Sequence, residues 1–329
     1  MQKLFLFFLF FQCLYKKKLY LSVSMKRFLV KIICFSLPLL VGAVLLEAYL
    51  ERMPNTARDK HQWMTAHASE VETLILGHSH NFYGLRPDVL GKGTYNLALP
   101  SQTYRYDYYL LTHYPMPRLK EVVLNFDYFQ LWEDFESLPD QRFQAVSYLI
   151  YMDCKIHSRF SQYGAEILYP PVVRKKLKDQ SDMARTHSDS LGWGIEYTFE
   201  ARADEWDNGE ERARLNTRND TSIVWQNYGF LCDILSWCRK HKVEAIMLNT
   251  PVTATFRQYE DPRQKAYNAR MLRTLLHDYP EVKYLDLEAD TTFSDDDFFD
   301  ADHLNHEGAR KLSLRLQQII NLASCSSIH

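Results

Sequence analysis

Two short stretches of the chain hold residue types that can do chemistry together. In the first, Leu74-Ile75-Leu76-Gly77-His78-Ser79-His80 reads as a strand that ends at Gly77 and turns into a helix. Such a turn lifts the Ser79 hydroxyl to the carboxyl end of a sheet, where backbone N–H groups can stabilise a developing oxyanion. In the second, Phe299-Asp300-Ala301-Asp302-His303-Leu304-Asn305-His306, Asp300 stands three residues before His303 and just ahead of the last helical pattern. At that spacing a carboxylate can hold one imidazole nitrogen while the other faces a serine, and a hydroxyl near its free pKa needs that base. Each stretch also has a plainer reading, Ser79 and Asn305 being good helix N-caps. His78 and His80 flank the serine, where they tune it or simply satisfy a polar loop. Together His78, His80, Asp300, Asp302, His303 and His306 also offer the donor set of a two-metal phosphoesterase, a different chemistry.

The elements that must position these residues alternate. Strand patterns cover 72–76, 94–97, 121–126, 244–249 and 283–287, and helical patterns cover 103–114, 222–241, 263–279 and 307–322. This alternation predicts an α/β fold with a parallel sheet and helices on both faces. The nearly continuous apolar runs in 71–76 and 243–249 suit strands covered on both sides. The interval 130–220 is far longer than a crossover needs and reads as an insertion that forms a lid or substrate rim. Trp132, Trp193 and Trp206 lie in or beside it, where they either stack on sugar rings or pack in the core. Trp225 reads as core. Asn249-Thr250-Pro251 ends the fourth strand, either as a turn or as part of the cleft.

Ahead of the domain, residues 26–50 read as a transmembrane signal anchor. The segment 32–46 carries no charge, Lys26, Arg27 and Lys31 precede it, and Glu47 and Glu51 follow. The positive-inside rule then keeps the N-terminus cytoplasmic and exports the rest, giving a single-pass protein of the cytoplasmic membrane with its domain on the extracytoplasmic, periplasmic side. Residues 1–24 read as a misassigned upstream extension, since Met25-Lys26-Arg27 is the more natural start of an exported protein. The polar stretch 51–70 reads as a linker. Lysine plus arginine total 39 against 41 acidic residues, a net charge of −2, which disfavours a nucleic-acid partner. The six cysteines show no CxxC or Cys/His zinc spacing.

A serine in the first strand–helix turn, with Asp-x-x-His before the last helix of an α/β domain, resembles the SGNH/GDSL hydrolase superfamily over residues 71–322. The resemblance implies a three-layer α/β/α sandwich with a flavodoxin-like sheet, and ester hydrolysis or O-acyl transfer without metal or cofactor. It makes Ser79 the nucleophile, His303 the general base and acid, and Asp300 the residue that orients His303. For the oxyanion hole it implies the Ser79 N–H with Ser101 and Asn125. The sequence departs from the family at His78, which replaces the usual Asp, and at Asn96–Ser101, which lacks the second-block glycine. The third block is reduced to Leu124-Asn125-Phe126-Asp127. The pattern is similar to a divergent membrane-anchored branch that includes polysaccharide O-acetyltransferases and the teichoic-acid D-alanylation protein. The substrate expected from it is an acylated glycan or lipid of the cell envelope. The rival reading is a non-catalytic, glycan-binding scaffold.

Overall fold

The structure, a computed structural model, describes residues 23–137, 142–155, 164–178 and 187–326. The upstream extension expected over residues 1–24 lies, but for its last two residues, outside these. The chain divides into two units, 1–52 and 53–329.

The described residues of the first unit form the helix α1 (Val23–Arg52), which contains Pro38. Its span Ser24–Arg52 is long and apolar enough to cross a membrane, because 29 helical residues reach about 43 Å at 1.5 Å per residue.

The second unit is built on five parallel strands: β1 (Thr73–Ile75), β2 (Thr94–Asn96), β3 (Glu121–Asn125), β4 (Glu244–Asn249) and β5 (Lys283–Asp286). They lie in the order β2-β1-β3-β4-β5, the flavodoxin-like arrangement. Successive side chains on a strand point to opposite faces, and the burial follows that period. Leu74, Val122, Leu124, Ala245 and Met247 face one core, while Ile75, Val123, Ile246 and Leu248 face a second. Both faces being apolar, both must be covered.

The larger core is closed by α2 (Thr56–His67), α5 (Tyr104–His113), α6 (Arg142–Tyr151), α9 (Thr221–His241) and α11 (Pro262–Asp278). The smaller is closed by α4 (Pro87–Leu90) and α12 (His306–Ser326), through Leu90, Leu312 and Leu316. Shorter helices among the described residues include α3 (Ser79–Gly84), α8 (Gly209–Asn216) and α10 (Ala254–Tyr259). A further one, α7 (Pro170–Lys178), lies in the insertion. The result is the expected α/β/α sandwich.

Two expectations change. The stretch read as a linker contains α2, capped by the Asn55 side chain on Arg58 N–H (3.0 Å) and buried through Ala57, Lys60 and Met64. The insertion is more than a rim. Its α6 supplies Ala145, Val146 and Tyr148 to the larger core, and its segments 187–206 and 209–216 reach the catalytic end. The first of these, a strap, pairs with the β2 edge, Asn96 N–H donating to Leu191 O (3.0 Å).

Candidate active site

The strand order reverses between β1 and β3, and ligands of open parallel sheets bind outside the carboxyl ends of strands at such a switch point. Ser79 sits there, at the first position of α3. The turn that delivers it is over-determined. Gly77 adopts φ +111°, and a Cβ on it would lie 2.1 Å from Asn125 Oδ1. The Gly77 N–H donates to Asp107 Oδ1 (2.9 Å) and the His78 N–H to Asn125 Oδ1 (3.1 Å). Three buried asparagines brace the turn from below: Asn125 Nδ2 donates to Asn81 Oδ1 (2.9 Å), and Asn96 Nδ2 to Asn81 O (2.9 Å) and Leu85 O (3.0 Å). The helix cap is His78, whose Nδ1 accepts from His80 N–H (3.3 Å), so Ser79 is free of that duty.

The loop before α12 supplies the other two groups. Asn305 caps that helix, its Oδ1 accepting from Glu307 N–H (3.0 Å) and Gly308 N–H (3.1 Å). Asp300 accepts from the His303 backbone N–H (2.8 Å), which fixes the loop, and its carboxylate lies 2.9 and 3.0 Å from His303 Nδ1. On the opposite edge of the ring, His303 Nε2 lies 2.8 Å from Ser79 Oγ. The structure thus brings Ser79, His303 and Asp300 into one hydrogen-bonded row although Ser79 and His303 are 224 positions apart. Burial pulls the His303 imidazole toward the neutral form, but the charges of Asp300 and Asp302 outweigh it and raise its pKa.

Behind this row lies a polar cluster that the sequence left unassembled. His78 Nε2 is 2.7 Å from Asp127 Oδ2, and His80 Nδ1 is 3.0 Å from the same oxygen and 2.8 Å from Thr250 Oγ1. His80 Nε2 is 3.5 Å from Asp302 Oδ2. Asp302 in turn accepts from Arg212 Nε (2.6 Å) and Nη2 (3.0 Å) and from Asn216 Nδ2 (3.1 Å). Burial lowers the pKa of both imidazoles, and it prevails in His78. In His80 the carboxylates on its two nitrogens prevail and push it up to about 9. Thr250 therefore belongs to the cluster rather than to a free turn.

One oxyanion expectation does not survive. Asn125 is fully buried and both ends of its amide serve the turn, so it holds Ser79 in place instead of facing the cleft. Ser101 lies at φ +58° in the turn that leads the chain toward α5. The Ser79 N–H has no partner among the described residues, as a donor for an incoming oxygen requires.

The six-residue metal set also divides. His306 lies aside, its Nε2 3.1 Å from Ile195 O and its ring against Trp193. Two groups, His78/His80/Asp127 and His80/Asp302/His303, bring their donor atoms within 4.8 Å of one another. In them His78 Nδ1 is taken by a backbone N–H and Asp302 by Arg212 and Asn216. Within the groups His78 Nε2 and His80 Nδ1 share Asp127 Oδ2, while His80 Nε2 and Asp127 Oδ1 are buried without a hydrogen-bond partner.

The strap supplies a wall. Tyr197 stacks between Tyr83 (3.6 Å between centroids) and Phe299 (4.0 Å) and turns its edge to His303 (5.2 Å). Of the tryptophans, Trp132 and Trp193 are buried with their indole N–H groups on Asn268 Oδ1 (2.8 Å) and Tyr83 O (2.7 Å). Trp206 lies under the Arg202 guanidinium at 4.4 Å. None of the three is an open sugar platform, while Trp225, read as core, is 60% exposed.

No curated protein matches the chain. A family model matches residues 208–324. Among solved structures, a GDSL-like lipase from Bacteroides thetaiotaomicron is similar at 11% identity and TM-score 0.38, covering 82% of this chain and 100% of that one. A protein assigned as an acylhydrolase from Bacteroides fragilis is similar at 10% identity and TM-score 0.38, covering 77% of this chain and 87% of that one. A protein assigned to the lipolytic G-D-S-L family from Desulfitobacterium hafniense gives 10% identity and TM-score 0.38, with 76% and 99% covered. The chain is similar to GDSL-like lipases and acylhydrolases.

Proposed function

We propose that this chain is a serine-dependent enzyme of ester chemistry, an esterase or O-acyltransferase, with Ser79 as nucleophile. One observation carries the reading: Ser79 Oγ, His303 and the Asp300 carboxylate form an unbroken hydrogen-bonded row at the switch point of the sheet. In this reading neutral His303 accepts the Ser79 proton as Oγ attacks an ester carbonyl. Asp300 holds the ring by Nδ1–H and stabilises the imidazolium that forms. The Ser79 N–H supports the oxyanion. When the tetrahedral intermediate collapses, the proton on His303 Nε2 passes to the leaving alkoxide and an acyl-serine remains. Water or a sugar hydroxyl, deprotonated by the same imidazole, then takes the acyl group. Hydrolysis and transfer differ only in that acceptor.

Lys26, Arg27 and Lys31 in the first turns of α1, with Glu47 and Glu51 near its far end, support a membrane anchor with the domain on the extracytoplasmic side, acting on an acylated glycan or lipid of the envelope. A fluorophosphonate probe on the full chain tests the central step. Labelling of the native chain that disappears in Ser79→Ala is the expected result. No labelling of the native chain, or equal labelling of the variant, overturns the reading in favour of a scaffold.

A further inference from the structure

The cluster behind the triad has a charge pattern that a simple Ser-His-Asp row does not need. His303 Nδ1 meets not one carboxylate but two, Asp300 at 2.9 Å and Asp302 at 3.4 Å. A single Nδ1–H makes one good bond, which Asp300 takes. A second bare carboxylate so close would hold the imidazole protonated, and a protonated imidazole cannot accept a proton from Ser79.

Asp302, however, is not bare. Arg212 grips both its oxygens from α8, and His80, whose Nδ1 is on Asp127, presents Nε2 to it from α3. Asp302 is 1% exposed, so water does not screen these contacts. His80 Nε2 has no hydrogen-bond partner shorter than this 3.5 Å approach, which suits a proton directed at Asp302. The charged and titratable groups around His303 come from every element packed on it. They are Asp300 and Asp302 from its own loop, His78, His80 and Tyr83 from the turn and α3, and Tyr197 from the strap. Arg212 acts through Asp302 and Asp127 through His80. Of the three carboxylates, two are offset by Arg212 and the His80 imidazolium. The net charge of these groups is one negative, as in a row with a single aspartate.

We propose that Arg212 and His80 are positioning residues that offset part of the Asp302 charge beside His303, so that Asp300 is the main carboxylate the imidazole answers to and His303 can still accept the Ser79 proton. This rests on the reading of His303 as the base of Ser79. Neither residue touches the reacting atoms. Their effect is on the charge His303 feels, which a merely structural salt bridge would not govern.

The test is the titration of His303 by NMR on the full chain in detergent, with histidine labelled in 15N and the His303 signal identified by its loss in His303→Asn. Arg212→Gln is expected to raise the His303 midpoint by about one unit, the scale of one charge within 4–6 Å. Asp302→Asn is expected to lower it by a similar amount, the double variant to return toward the native value, and Arg212→Lys to stay close to it. Midpoints unchanged in both single variants, or moved in the same direction, overturn the proposal. Should Asp302→Asn fail to fold, equal midpoints in Arg212→Gln and Arg212→Lys overturn it alone. The readout needs no turnover. Absence of probe labelling at Ser79 would count against the nucleophile, whereas the His303 midpoints judge the Asp302 unit separately.

Discussion

Asp107 ties the stability of the fold to pH at the point where the nucleophile turn is held. Its Oδ1 accepts from Gly77 N–H (2.9 Å) and Gln102 Nε2 (2.6 Å), but among the described residues no cation faces it, and its Oδ2 is buried without a partner. Burial, against these two hydrogen bonds, pushes its pKa up to about 7. The folded state therefore keeps a proton that the unfolded chain has released, and the stability this confers is full below the ordinary aspartate range and lost as pH rises to about 7. A shift of roughly 3 units is about 4 kcal/mol in all, of which about 2.5 kcal/mol falls between pH 5 and pH 8. Asp107→Asn keeps the acceptor for Gly77 and removes the titration. It also buries an amide N–H without a partner, at a cost of about 1–3 kcal/mol that does not vary with pH. The variant should thus gain about 2.5 kcal/mol on the native chain between pH 5 and pH 8. Urea unfolding followed by tryptophan fluorescence measures this, since all six tryptophans lie in the second unit. Differences between variant and native chain that are the same at both pH values would refute the reasoning, because the Asp107 carboxylate would then be ionised within the fold at no cost.

Two further outcomes follow from the turn and the triad. Gly77→Ala forces a Cβ to 2.1 Å from Asn125 Oδ1 at φ +111° and should cost about 2–4 kcal/mol and abolish probe labelling. Gly91→Ala, at φ +125° with nothing within 4 Å, should cost about 1 kcal/mol and leave labelling intact, as urea midpoints and labelling rates will show. Asp300→Asn should fold but slow labelling of Ser79 by about 10²–10⁴-fold at neutral pH, the scale set by a misoriented imidazole. In the native chain, the labelling rate should rise with pH and reach half its maximum above the pH at which a free imidazole titrates, because His303 must shed a proton that Asp300 and Asp302 favour.

The strands were legible where they are apolar runs bounded by polar or turn residues, as β1, β3 and β4 are, and β4 was placed from Glu244 to Asn249 with both ends right. Ser79 and Asp300–His303 were legible because their spacing reflects local geometry, a strand–helix turn and a capped loop. α2 was hidden for a physical reason: it buries Lys60, whose ammonium donates to Asn96 O (2.7 Å) and Ala98 O (2.6 Å). Polar residues read as solvent-facing until their partners are known, and here those partners are backbone carbonyls 36 and 38 positions away. Asp127, Arg212 and the buried pairing of Asp302 were missed likewise, since no periodicity connects Arg212 with a carboxylate 90 residues on. Asn125 misled because an amide after the third strand can donate to an oxyanion or to a neighbouring turn. Only the positions of Asn81 and His78 decide between these.

The insertion explains how a row so exacting is kept in register. Ser79 and His303 ride on elements from opposite ends of the domain, and a hydrogen bond of 2.8 Å tolerates only a few tenths of an ångström of drift. The strap fastens the two elements to each other. Gly194 N–H donates to Phe82 O (2.9 Å) and Trp193 Nε1 to Tyr83 O (2.7 Å), which anchors it on α3. Tyr197 O accepts from His306 N–H (3.0 Å), which anchors it at the start of α12. The stacked rings of Tyr83, Tyr197 and Phe299 close the span between, each pair adding about 0.5–1.5 kcal/mol. The sum is small against the two cores that hold the domain together, but it acts across the Ser79–His303 gap. Loosening the strap would therefore lengthen that hydrogen bond well before it threatened the fold.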